Sequence, residues 1–512
     1  MTGERSDDAK NAANAEKDRP NEGGSQRAPM LIVVTFVVNA ALNFLLGLAV
    51  AAGLGPEAYG RFSIAFAAAL ALALLLFDWL RLSATRFYRE EVRATAPELR
   101  ASLDAGYFAG AAGLVLAAAV LATLGIDAGL GAGMIAAIAL VAIANGFFDY
   151  FSALLRARFR NRAYSVLVIL KNALAFAAMV GAAFWTRDPL AVMACAGVSA
   201  GAATFLLRKR AADPGAHLTR ARTAQIGGYL RYGLPVVLAN LFYQAMVLAN
   251  RGLAASSLGY GAAGKLSLAT DVTLRLMLAA GAALDIYLFQ LAVHQKAVGG
   301  AEAAKAQVRR NSLIIFAAYV LICAGYMADM PAFVATIAPA AFREDFARLA
   351  FILTPGVGLF CLGQFCLNPI AQIEGRTNEV MLAGLGTAAL DIGWLLLAPP
   401  RELAGYALVH AVSLAAGFAL MLGLTWRWRD HWPRSRDLAG VAVAGFSASA
   451  AMSFTREAQP ALAGLLLTAL VGAGVFAAVL LALDPGGLFR PAVARLASRL
   501  PGGKDGLFNR LG

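Results

Sequence analysis

Charge is scarce in this sequence. Only 15% of its 512 residues are Asp, Glu, Lys or Arg, and 60% are hydrophobic. Soluble domains carry about 25% charged and about 45–50% apolar residues, so a water-soluble globular chain is excluded. Cysteine and histidine are scarce too, four of each. Cys195, Cys323, Cys361 and Cys366 all fall in apolar runs and read as small buried hydrophobes. Cys361 and Cys366 are too far round a helix for a metal pair, and no histidine is near. No nucleotide, metal or nucleophile motif is visible, so no cofactor is expected. Long polar stretches are confined mainly to the ends. Residues 1–29, mixed in charge and rich in Asn and Gly, read as a disordered tail.

What the sequence has instead is apolar runs. About fourteen are long enough to cross a bilayer, which takes roughly 20 residues, and in lipid each satisfies its own backbone only as a helix. The chain therefore reads as an all-α polytopic membrane protein. Connections after the even-numbered spans are basic: Arg86, Arg89 and Arg93, then Arg156 to Arg162, Arg208 to Arg222, Lys296 to Arg310, and Arg427 to Arg436. Connections after odd-numbered spans are short and nearly neutral. Basic loops stay in the cytoplasm, so the even side and both termini are placed there. The net charge of +13 reports this topology rather than a nucleic-acid partner.

The stretch LGPEAYGRFSIA, Leu54 to Ala65, recurs as LGYGAAGKLSLA, Leu258 to Ala269. Both glycines and the serine match (Gly55 with Gly259, Gly60 with Gly264, Ser63 with Ser267), and Lys265 stands for Arg61. The copies are six spans apart, an even number, so both point the same way through the membrane, as parallel repeats do. This divides the chain into a six-helix bundle over 30–207, a cytoplasmic linker over 208–228, a second six-helix bundle over 229–425, two extra spans over 426–484 and a basic tail over 485–512. In that tail Phe489, Val493, Leu496 and Leu500 recur at helical spacing beside arginines. That suits either an amphipathic helix on the membrane lipids or a solvated tail.

At these residues the chain resembles Wzx-type polysaccharide flippases, the polysaccharide transporter branch of the multidrug/oligosaccharidyl-lipid/polysaccharide exporter superfamily. Asn39 and Asn43 in the first span, the LGPEAYGRFSIA turn, Asp78 and Arg81 ending the second span, and NRGLAASSLGYGAAGKLSLA from Asn250 carry the resemblance. Asn250 stands where that family has an acidic residue. The resemblance implies a MATE-like architecture of two six-helix bundles facing each other in a V. It implies translocation of an undecaprenyl-diphosphate-linked oligosaccharide across the bacterial inner membrane, for lipopolysaccharide or exopolysaccharide synthesis, with a polysaccharide polymerase and a chain-length regulator as partners. Fourteen spans rather than twelve is similar to the peptidoglycan-precursor flippase branch.

A charge inside the membrane costs about 2.5–3.5 kcal/mol on insertion scales, so in-span charges are the candidates for function. Lys171, Arg251 and Arg275 are basic residues inside spans and suit a diphosphate. The competing reading is ion pairing between helices, strongest for Arg275 because Asp271 sits four residues earlier. Asn39, Asn43, Asn240 and Gln244 are amides that suit sugar hydroxyls or hold helices together. Asp271 and Asp391 lie deep and are candidates for ion coupling. Asp78, Asp149 and Glu374 lie near span ends, where pairing with neighbours such as Arg81 or Arg376 is expected. His410 reads as a packing or helix–helix residue, and Pro355, Pro369, Gly356 and Gly363 mark span ten as a place to bend. Two other function classes compete. A cation-coupled drug or metabolite antiporter of the same fold is favoured by a carboxylate in the first span, and spans one and seven have none. A membrane-bound sugar transferase or polymerase is disfavoured by the short outward connections.

Overall fold

The computed structural model describes residues 27–88, 95–126, 129–213, 215–455, 461–491 and 493. Among these there is no strand. The helices are α1 (Arg27–Phe87), α2 (Pro97–Thr123), α3 (Ala132–Ala157), α4 (Asn161–Trp185), α5 (Pro189–Leu207), α6 (Thr223–Leu258), α7 (Tyr260–Ala328), α8 (Met330–Ile337), α9 (Arg343–Leu362), α10 (Asn368–Ile373), α11 (Thr377–Leu397), α12 (Leu403–Thr425), α13 (Ser435–Thr455) and α14 (Ala461–Leu483). Among the described residues twelve helical stretches are long and apolar enough to cross a membrane. Two of them are far too long for one crossing. α1, with 61 residues, would reach about 90 Å if straight, three times the bilayer core. It breaks at Gly55 (φ 73°, ψ 172°), and the 69-residue α7 breaks at Gly300 (φ 74°, ψ −167°). Each supplies two spans. The chain is a multi-pass membrane protein.

Gly55 and Gly259 explain why the repeat keeps glycine at its second position. Gly259, between α6 and α7, has φ 89° and ψ 163°, close to the angles of Gly55. A side chain at such angles is strained, so only glycine makes this turn freely. One backbone corner therefore occurs twice, 204 residues apart.

Around each corner a lobe assembles. In the first, α1 packs on α3, α4 and α5, and α2 packs on α3. In the second, α6 packs on α11, α7 on α9, and α12 on both α9 and α11. The lobes meet where α1 faces α6 and α7. α13 and α14 pack on each other and on the second arm of α7, burying Leu313, Ala317, Val441, Ala444, Met452 and Phe476 together. Small residues bring the helices close, as expected where lipid supplies no hydrophobic drive between them. A Cβ on Gly356 would lie 2.3 Å from the Ala411 carbonyl oxygen, so this glycine serves contact between α9 and α12. The irregularity in span ten comes later, as a π-helical turn over Gly363–Leu367. Pro369 follows it and has no N–H to continue the regular ladder.

The connection between the lobes is strapped down. The Arg222 N–H donates to Ser102 Oγ (2.9 Å), Ser102 Oγ donates to Gln225 Oε1 (2.7 Å), and Arg100 donates to the Ala211 carbonyl (3.1 Å). Helix α1 is already formed at Arg27. Residues 1–26, and the expected tail helix from 494 onward, lie outside the described residues.

Candidate functional site

The two repeat copies cross each other. A Cβ built on Gly60 would fall 1.9 Å from the Tyr260 carbonyl oxygen, and one on Gly264 would fall 2.0 Å from the Pro56 carbonyl oxygen. Pro56 and Tyr260 are themselves equivalent under the 204-residue shift, so the contact is reciprocal, as at a two-fold axis. On the same line Ser63 Oγ donates to Ser267 Oγ at 2.9 Å. The second glycine of each copy is there because backbone meets backbone.

A narrow cavity of about 80 Å³ lies beside this crossing, walled by α1, α3 and α4 on one side and α6 and α7 on the other. Known small-molecule sites occupy about 300–1,000 Å³, so the lobes are here in a shut arrangement. On the second lobe's wall Arg251 is buried. It donates through Nη2 to Asp271 and through Nη1 to the Ser63 carbonyl at 3.3 Å. Arg275 does not pair with Asp271, although helical spacing favoured it. It reaches across to donate to the Asn43 carbonyl, and a Cβ on Gly47 would lie 2.9 Å from its Nη1. Asp271 turns to α6 instead because Arg251 enters from the neighbouring helix.

The first lobe's wall carries two amides, Asn43 and Asn145; Asn39, expected at the site, and Asn172 are not lining residues and stand behind Asn43. Asn172 Nδ2 donates to Asn39 Oδ1, and Asn43 Nδ2 donates to the Asn39 carbonyl (2.8 Å) and to Oδ1 (2.9 Å). Lys171 lines the cavity, with Nζ 5.2 Å from the Phe148 ring centroid, and makes no ion pair among the described residues. The wall thus carries three cations, Lys171, Arg251 and Arg275, against one carboxylate, Asp271.

Several expected residues stand elsewhere. Asn240 is exposed and away from the cavity. Gln244 is not a lining residue; it holds the lobes together by donating to the Ala67 carbonyl at 3.3 Å. Asp391 is fully buried between α11 and α12, with His410 Nδ1 3.5 Å from its Oδ2. That pair is separate from the cavity. Asp78 pairs with Arg81 as expected, whereas Glu374 meets His431 (3.3 Å) rather than Arg376. Asn145, another of the in-span amides that suit sugar hydroxyls, lines the cavity, as does Tyr59, which the sequence did not single out. An amide in an apolar span is a signal for Asn145; Tyr59 has only its place beside Gly60. Among the described residues no group of His, Cys, Asp and Glu is arranged to hold a metal ion.

No family model and no curated protein matches the chain. Solved structures do. A lipid II flippase, MurJ, in an inward closed conformation is similar with a TM-score of 0.72 at 10% identity, covering 91% of this chain and all of that one. The chain has a MATE-like fold. A multidrug resistance MATE family transporter of the MOP superfamily, inward-facing, matches this fold with a TM-score of 0.58 at 15% identity, over 78% of this chain and 98% of that one. A MOP superfamily transporter from Pyrococcus furiosus gives a TM-score of 0.56 at 15% identity, over 79% and 95%.

Proposed function

We propose that this chain is a flippase for a polyprenyl-diphosphate-linked oligosaccharide. The observation that carries the reading is the lining of the inter-lobe cavity, three cations and two amides against one carboxylate. Each unpaired charge in lipid is expensive; Arg275 makes no ion pair among the described residues, and Lys171 makes none either but feels the Asp149 carboxylate, which lies outside the lining. A diphosphate is the cargo group that offsets them, with guanidiniums supplying paired donors and the ammonium a point charge. Asn43 and Asn145 donate to and accept from sugar hydroxyls, with Asn39 holding Asn43 from behind. No covalent bond is made or broken. The work is to open the 80 Å³ cavity alternately to each side, with the reciprocal glycine crossing as the contact that must part.

Among such cargoes the resemblance of the repeat motifs to Wzx-type proteins favours the repeat units of a surface polysaccharide, delivered to a polymerase and chain-length regulator. The basic connections support cytoplasmic termini, and such a cargo fits a bacterial inner membrane. Ion coupling is assigned to Asp391 with His410, because Asp271 is already neutralised by Arg251. Asp391→Asn is expected to remove any stimulation by an imposed proton gradient while leaving cargo affinity within about twofold; unchanged stimulation refutes the assignment.

The decisive experiment uses proteoliposomes loaded on one leaflet with a fluorescent undecaprenyl-diphosphate oligosaccharide, with lipid II and a small organic cation in parallel. Leaflet exchange of the oligosaccharide that is lost in Arg275→Gln supports the reading. Exchange of lipid II alone moves the cargo to the peptidoglycan precursor. Movement of the organic cation alone makes the chain an antiporter and overturns the proposal.

A further inference from the structure

A second basic site lies on the flank of the molecule. It forms where the second arm of α7 begins, α13 begins and α14 ends, and it is far roomier than the central cavity, about 740 Å³. Four arginines surround it, Arg309, Arg310, Arg434 and Arg436. Its two carboxylates are committed to the chain's own backbone. Asp437 accepts from the Gly486 N–H (2.9 Å), and Asp484 accepts from those of Phe489 (2.9 Å) and Arg490 (3.2 Å). These bonds fix the turn after α14, in which Asp484, Gly486 and Gly487 all have positive φ.

The arginines are not used in this way. Among the described residues Arg310, Arg434 and Arg436 make no ion pair, and Arg309 donates only to the Asp430 carbonyl while its buried Nε meets no acceptor. Four guanidiniums against two carboxylates leave the concavity net positive, which favours an anion there, and the guanidinium fork matches phosphate oxygens. The site is also half apolar. Leu313, Val443 and Leu483 line it. Val443 is 52% exposed, and Phe446, one helical turn further along α13, is 78% exposed. An apolar strip therefore runs from the arginine ring along the outer face of α13. A free phosphate has no use for that strip; a phospholipid places its acyl chains there.

We propose that this site binds the phosphodiester headgroup of an anionic bilayer phospholipid. The four arginines hold the phosphate, and the acyl chains lie along Val443 and Phe446. The bound lipid bridges α7, α13 and α14 at the end bearing the basic connections, where basic pockets between helices recruit anionic lipids. It shares no lining residue with the central cavity, so it is a separate site from the proposed cargo path.

The test is native mass spectrometry of the full chain in detergent, titrated with phosphatidylglycerol, phosphatidylcholine or inorganic pyrophosphate. Three variants are compared with the parent: R310Q/R434Q/R436Q; R208Q/K209Q/R220Q, which removes three exposed charges elsewhere; and V443S. Lipid-free melting temperatures confirm folding. The expected result is at least a tenfold loss of phosphatidylglycerol affinity in the first variant, less than twofold in the second and a several-fold loss in the third, with phosphatidylcholine weak throughout. Equal loss in the first two variants reduces the effect to overall charge and overturns the proposal, as does unchanged binding in the first. Full competition by pyrophosphate, with V443S unaffected, leaves an anion site without a lipid and also overturns it.

Discussion

The two copies of the repeat share a backbone and differ in chemistry. Gly55 and Gly259 make the same turn, Gly60 and Gly264 the same close approach, and Ser63 and Ser267 one hydrogen bond. One turn away the equivalence ends. The positions matching Arg251, Asp271 and Arg275 in the first copy are Gly47, Ala67 and Ala71. Those small residues are where the second copy's polar groups are received. Gly47 leaves room for the Arg275 guanidinium, and the Ala67 carbonyl accepts from Gln244. The repeat supplies a symmetric crossing, whereas the second lobe's wall carries two guanidiniums with Asp271 and the first lobe's wall carries two amides with Lys171. On the flippase reading proposed above, a symmetric crossing suits a motion in two directions, and unlike walls suit a cargo with unlike ends.

The largest effect is expected from fixing the symmetric part. Oxidising Ser63→Cys with Ser267→Cys should link the copies, given the 2.9 Å between the native oxygens, and cut transport at least a hundredfold until reductant is added. Oxidised single variants control for the four native cysteines. If transport survives the link, the crossing is not the contact that parts, and the hinge half of the comparison fails.

Next comes the asymmetric part. Asp271→Asn strands Arg251 in a buried position, and removing one partner of a buried pair costs about 3–5 kcal/mol. The Asp271 side chain is 23% exposed and opens on the cavity, so the lower end of that range applies. The double change Arg251→Gln with Asp271→Asn should return stability to within about 1 kcal/mol of the parent, yet leave transport impaired. Denaturation in parallel with a transport assay separates the two roles. Full transport by the double variant would mean that the pair only holds helices.

A smaller effect is expected on the amide wall. Asn39→Ala removes the Oδ1 that accepts from both Asn172 and Asn43. At about 0.6 kcal/mol for a polar contact between membrane helices, the loss should be about 1 kcal/mol, with cargo affinity falling several-fold. A loss matching that of Asp271→Asn would erase the contrast between the walls.

What was legible in the sequence was what local rules dictate. Apolar runs had to be helices, and a repeat six spans apart had to mean two like-oriented units, so the two-lobed fold could be read before any coordinates; that its second glycine marks a close contact could not. Partner choice between helices was not legible. The four-residue spacing joined Asp271 to Arg275, but the rotation of α6 brought Arg251 nearer. Gly356 looked like a place to bend and proved to be a place to touch. Both depend on how neighbouring helices are turned about their axes, which no single helix records.

Asn240 isolates that rotation. It lies one turn before Gln244 on α6, in the same kind of apolar run as the cavity amides, and sequence alone ranked it with Asn43. Yet it is exposed and makes no side-chain hydrogen bond among the described residues, whereas Asn43 is bonded and faces the cavity. Removing an exposed amide with no partner leaves nothing unsatisfied, and such substitutions usually stay within about 0.5 kcal/mol. Asn240→Ala should therefore keep stability within that margin and transport within twofold. A transport loss as large as that of Asn39→Ala would show that α6 turns this face toward the cargo when the lobes open, and the cavity wall would then have to be redrawn one helical face further round.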